Sequence, residues 1–150
     1  MNTEVRPHFT FFPLALATAS FALCTSPAAA PPFAYIPVSG GVTVIDTATR
    51  YETGIQLPSD PSELALTPDG QFAYVTVPGT SGSPGAVTVI ATATKTVTAN
   101  IPVGDTPKGI AASPDGQSVY VVNSHGDSVS VIATATNSVV ATIPVGNLPS

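Results

Sequence analysis

Charge is scarce in this chain. Of 150 residues only 9% are charged, against about 25% in an ordinary soluble domain. Four basic residues face nine acidic ones, for a net charge of −5, so there is no basic footprint for a nucleic-acid backbone. Tryptophan is absent, and four tyrosines offer few platforms on which bases stack. A single cysteine, Cys24, excludes a disulfide framework and a cysteine-based metal site. The two histidines, His8 and His125, belong to no His-x-x-x-His or Glu-x-x-His pattern. No Gly-x-Ser-x-Gly elbow supplies a nucleophile. No metal or other cofactor is expected.

Apolar residues, proline and glycine are plentiful instead. Hydrophobic residues make up 43%, with 16 Pro and 12 Gly. Disordered tails are poor in apolar residues, and long helices do not tolerate this much Pro and Gly, so both classes are excluded. The first thirty residues differ from the rest. Arg6 and the amino terminus precede the apolar stretch Phe11 to Cys24, which ends in the small residues Thr25 to Ala30. That order predicts an export signal over 1–28, cut at about 28–30. Pro13 and the shortness of the stretch argue against a retained membrane span. Cys24 and His8 would leave with the signal. The expected destination is the bacterial periplasm, the cell surface or the medium.

The remainder is repetitive. Gly41-Val42-Thr43-Val44-Ile45-Asp46-Thr47-Ala48-Thr49 recurs at Ala86–Thr94 and again at Ser128–Thr136. The spacing is 45 residues from Val42 to Val87 and 42 from Val87 to Val129. Thr67-Pro68-Asp69-Gly70 returns as Ser113-Pro114-Asp115-Gly116, and Ile101-Pro102-Val103-Gly104 as Ile143-Pro144-Val145-Gly146. In the Pro-Asp-Gly turns Pro presets φ, Asp bonds its own backbone and Gly takes the left-handed conformation. Between turns lie runs such as Ser118-Val119-Tyr120-Val121-Val122-Asn123, rich in β-branched and aromatic residues. A period in the low forties with four strand-like runs predicts an all-β chain of four-stranded propeller blades.

At Tyr74-Val75-Thr76-Val77 and Tyr120-Val121-Val122-Asn123, with the Ile-Asp-Thr-Ala-Thr and Pro-Val-Gly segments, the sequence resembles YVTN-type β-propeller repeats. The resemblance runs from residue 34 to 150 and implies antiparallel blades, usually six to eight to a ring, in exported proteins. Ala91 and Ala133 stand where Asp46 would repeat, and Pro37 interrupts the first copy, which is expected to be the least well formed. The blades expected are 33–57 (lacking a first strand), 61–103 and 107–145, an open and incomplete ring. An uncovered blade face of on the order of 500 Å² forgoes roughly 12 kcal/mol of burial, comparable with the stability of a whole domain. Further blades of a longer chain, or failing that another copy, are expected to close the ring.

In such a blade the second-to-third turns and the blade-to-blade crossings share one face. That places Asp60, Asp105, Lys108, His125 and Asp127 near a common rim, the expected ligand-binding face. Asp69 and Asp115 repeat in equivalent turns, where Asp before Gly is what the backbone prefers. The leading expectation is a non-catalytic binding or interaction scaffold for a protein or small-molecule ligand. The alternatives are a piece of a lactonase-like seven-bladed propeller enzyme, with Lys108 or His125 in its site, or a single-stranded DNA-binding propeller. The acidic balance speaks against nucleic acid as a partner.

Overall fold

The computed structural model describes residues 22–23, 33–79, 83–146 and 149. The expected export signal therefore lies outside the described residues except at Ala22 and Leu23. The same holds for residues 80–82 and for Asn147, Leu148 and Ser150. The described residues form twelve strands and no helix. The first sheet contains β1 (Ala22–Leu23), β2 (Phe33–Val38), β3 (Gly41–Asp46) and β4 (Glu52–Gln56). The second contains β5 (Leu64–Leu66), β6 (Phe72–Val77), β7 (Pro84–Ala91) and β8 (Thr96–Asp105). β9 (Pro107–Ala112), β10 (Ser118–Asn123), β11 (Ser128–Ala133) and β12 (Ser138–Pro144) make the third. Each sheet is antiparallel, with sequence neighbours paired, so each is one blade.

The repeated turns explain this topology. In the second blade the Thr67 hydroxyl donates to Asp69 Oδ1, Gln71 N donates to the same oxygen at 3.0 Å, and Gly70 takes φ 69°. Ser113, Asp115, Gln117 and Gly116 (φ 71°) repeat the arrangement in the third. The two aspartates are thus engaged in closing turns. On the same side, each turn into the last strand carries a non-glycine residue in the left-handed region: Arg50, Lys95 and Asn137, at φ 60°, 56° and 48°. Asp46 closes the first of these turns by accepting from Ala48 N and Thr49 N at 2.9 and 3.0 Å. Where alanine replaces it, Thr92 and Thr134 tie the turn to Gly70 O and Gly116 O instead, at 2.6 and 2.7 Å.

In the full chain the first-strand place beside β2 is taken by the two-residue β1, paired as Ala22↔Tyr35 and Leu23↔Ala34. It lies within the segment 1–28 expected to leave as the export signal, so residues 33–57 themselves supply only the second to fourth strands. The free inner edge of β2 can be satisfied by any extended backbone. Pro37 limits how far that pairing runs. It occupies the place of Thr76 in β6, whose N–H donates toward the inner strand, to Glu63 O at 2.9 Å. Proline has no N–H to donate there. Its pairing with β3 is undisturbed, and β2 continues to Val38.

Two apolar layers hold the blades together. Tyr35, Val42, Val44, Ile55 and Leu57 of the first blade cluster with Leu64, Val75, Val77 and Ile90 of the second. The equivalent Tyr74, Val87, Val89, Ile101 and Val103 cluster with Val119, Val121 and Ile132 of the third. None of these is more than 8% exposed. The blades therefore carry apolar groups on both faces, as sheets covered on both sides do. The third copy of the set is Tyr120, Val129, Val131, Ile143 and Val145. Its Tyr120, Ile143 and Val145 are 44%, 48% and 38% exposed.

Polar latches accompany the layers. Tyr74 Oη donates to Asn137 Oδ1 of the next blade at 2.7 Å, and Lys95 Nζ lies 4.8 Å from the centroid of the Phe33 ring. Burial first, and the Asp69 charge second, push the Tyr74 hydroxyl above the usual phenol range, which keeps it a donor.

Candidate functional site

The rim formed by second-to-third turns and blade-to-blade crossings is best built where the second blade passes into the third. β8 ends at Asp105 and β9 begins at Pro107, so Thr106 alone makes the crossing. It does so with φ 50°, an outlier for a β-branched residue. The conformation presents Thr106 O to Ser124 N of the β10–β11 turn, 3.0 Å away. The Thr106 hydroxyl donates to Asp105 Oδ1 at 3.0 Å, and His125 Nδ1 lies 2.9 Å from the same hydroxyl. Asp105, Thr106 and His125 form one hydrogen-bonded chain across the crossing.

A buried polar centre supports it from below. Asn123 is fully buried, yet every contact is satisfied. Its Oδ1 accepts from Gly104 N at 3.1 Å, and its Nδ2 donates to Ser128 Oγ and Ser130 Oγ at 3.1 and 2.9 Å. A Cβ on Gly104 would lie 2.6 Å from Asn123 Cγ, so only glycine lets β8 pass this close. A buried amide with all partners in place fixes geometry where an apolar residue would slide.

The five expected residues are not one constellation. Asp105 and His125 are joined, through Thr106. Asp127 shares the β10–β11 turn with His125, in the left-handed conformation (φ 42°), and its carbonyl accepts from Val145 N at 2.9 Å. Lys108 is exposed, and its carbonyl accepts from buried Thr76 Oγ1 at 3.3 Å. Asp60 serves a different turn: its Oδ1 accepts from Ser39 Oγ at 3.0 Å and Gly40 N at 2.7 Å, fastening the β2–β3 hairpin to the first crossing.

Three participants were missed in the sequence. Thr106 aligns with Asp60 before the matching prolines, which concealed its hydroxyl role. Asn123 aligns with Val38 and Val77, and a polar residue in an apolar series was the available signal. Glu63 gave none. Its Oε2 accepts from Ile110 N at 3.2 Å, bridging the inner strands of two blades. Among the described residues no group of three or more His, Cys, Asp or Glu side chains is arranged to hold a metal ion.

The sequence profile described as "Lactonase, 7-bladed beta-propeller" matches residues 31–142. The chain belongs to this family. No curated protein matches it by sequence. Among solved structures, Kuenenia stuttgartiensis hydrazine synthase is similar at 29% identity with TM-score 0.71, over 83% of this chain. The Dos1 propeller is similar at 12% identity with TM-score 0.69, over 85% of this chain, and shows the fold alone. The chain spans 35% of the length of each. The described residues form three blades of a seven-bladed family fold.

Proposed function

We propose that this chain supplies blades to a larger exported propeller of YVTN-type repeats that works as a binding scaffold, with ligands approaching the rim at Asp105, Lys108, His125 and Asp127. The observation that carries the reading is the repeated set ending in Tyr120, Ile143 and Val145. Its two other copies are each buried by a following blade, and this copy has no blade upon it among the described residues. Blades of a repeat array cannot bury their faces alone. The acids support a scaffold as well: Asp60, Asp69 and Asp115 are spent on turns instead of converging on one point. Metal-independent turnover of any substrate by the purified protein in a broad hydrolase panel would overturn the scaffold reading.

The family match favours a second reading, a lactonase-like propeller enzyme. In that case lactone hydrolysis should be present and should fall when Lys108→Met or His125→Asn is introduced. Hydrolysis indifferent to both substitutions would remove this rim from the enzyme reading. Export is tested separately, by fractionating cells that make the full chain and sequencing its amino terminus in each fraction. A start near Ala29 outside the cytoplasm supports it, and a chain that stays in the cytoplasm with Met1 intact contradicts it.

A further inference from the structure

We infer that Asp105, Thr106 and His125 form an acceptor site at the rim for an N–H-bearing organic cation, an alkylguanidinium or alkylammonium group. The assignment follows from counting protons. Thr106 has one hydroxyl proton, and it goes to Asp105 Oδ1. With that proton on Asp105, Thr106 Oγ1 offers only lone pairs to His125 Nδ1, 2.9 Å away, which makes Nδ1 the donor. Neutral His125 is thereby held as the Nδ1–H tautomer, with the Nε2 lone pair on the far side of an exposed ring. A histidine oriented by a carboxylate through a hydroxyl is a stronger acceptor than one left to water.

The backbone is strained to achieve this. Thr106 sits at φ 50°, where glycine would be unstrained but would have no hydroxyl. Strain retained at one crossing points to a use for the side chain it displays. The charges nearby select the ligand. Asp105, joined to His125 through the Thr106 hydroxyl, disfavours an anion, and an acceptor nitrogen calls for an N–H donor. Lys108, just past Pro107, adds a positive charge that opposes the ligand, so Lys108→Met should tighten binding.

The inference rests on the rim being a ligand-binding face. It is tested by 15N NMR of the His125 ring in the full chain at mildly alkaline pH, titrating methylguanidinium and, separately, tetramethylammonium. The free protein should show Nδ1–H, and methylguanidinium should shift Nε2 saturably. Tetramethylammonium, with equal charge and no N–H, should not. Thr106→Val, which keeps the branched shape, should release the tautomer and weaken methylguanidinium at least about tenfold. Asp105→Asn carries the same test, with a smaller loss, if the valine variant does not fold. An Nε2–H tautomer in the free protein, or equal responses to the two cations, would overturn the assignment. If another ligand shifts the rim amides while His125 ignores methylguanidinium, this inference fails and the rim reading stands. Rim amides silent to every ligand sink both.

Discussion

Tyr74 and Tyr120 hold the same place in the second strands of successive blades, yet one is 1% exposed and the other 44%. The residues around them match. Val87, Val89, Ile101 and Val103 surround the first, and Val129, Val131, Ile143 and Val145 accompany the second. The same apolar residues at equivalent positions therefore show opposite burial, and what differs is the neighbour. The second blade's face is closed by Val119, Val121 and Ile132, and its tyrosine hydroxyl by Asn137. The third blade presents the same apolar positions with no blade upon them among the described residues. In a repeat array stability resides in interfaces as much as in units.

The largest test of that contrast is truncation. Tyr74→Ala should cost about 3–5 kcal/mol in urea unfolding, and Tyr120→Ala less than about 1 kcal/mol. Equal costs would break the comparison. Next comes the close approach beneath the crossing. Gly104→Ala should cost about 1–3 kcal/mol through its collision with Asn123. Adding Asn123→Ala should cost less than the sum of the single changes, because the two share one contact. Strict additivity would argue against the contact.

Smaller still is the hydroxyl effect. Tyr74→Phe should lose about 1 kcal/mol with its bond to Asn137, and Tyr120→Phe should stay within about 0.5 kcal/mol of the parent. The smallest effect belongs to the turns both blades share. Asp69 is held below the usual carboxylate range chiefly by the Thr67 hydroxyl and then by Gln71 N. Asp115 is held there by the Ser113 hydroxyl and then Gln117 N. A folded-state value below the unfolded one means stability that is fully present above the unfolded value, about 3.9 for aspartate. It is lost as pH falls through the lower folded value. Asp69→Asn and Asp115→Asn should therefore flatten the acid decline in stability, each by a similar amount, and a curve parallel to the parent would refute the role.

Much of this architecture was legible because the repeated units write it in side chains. The Pro-Asp-Gly turns, the paired valines and the Ile-Pro-Val-Gly ends each mark an element by residue type. The first strand was not legible, since β1 pairs with β2 through backbone groups and needs no side-chain pattern. The site was only half legible. Asp105 and His125 were expected on one rim, but their connection depends on Thr106 in the left-handed region, a conformation its residue type argues against. Asp60, at the aligned position, shows how little alignment says here. Its carboxylate fastens a hairpin directly, whereas Thr106 uses its carbonyl for the turn and its hydroxyl for the histidine.

The most direct test of the open face is to cover it. In a chain with residues 104–145, one full 42-residue period, repeated after Val145, the added blade should pack on Tyr120. Tyr120→Ala should then become as costly in urea unfolding as Tyr74→Ala, about 3–5 kcal/mol. If Tyr120→Ala still costs less than about 1 kcal/mol in a chain whose added blade is folded, the face is not built for a following blade.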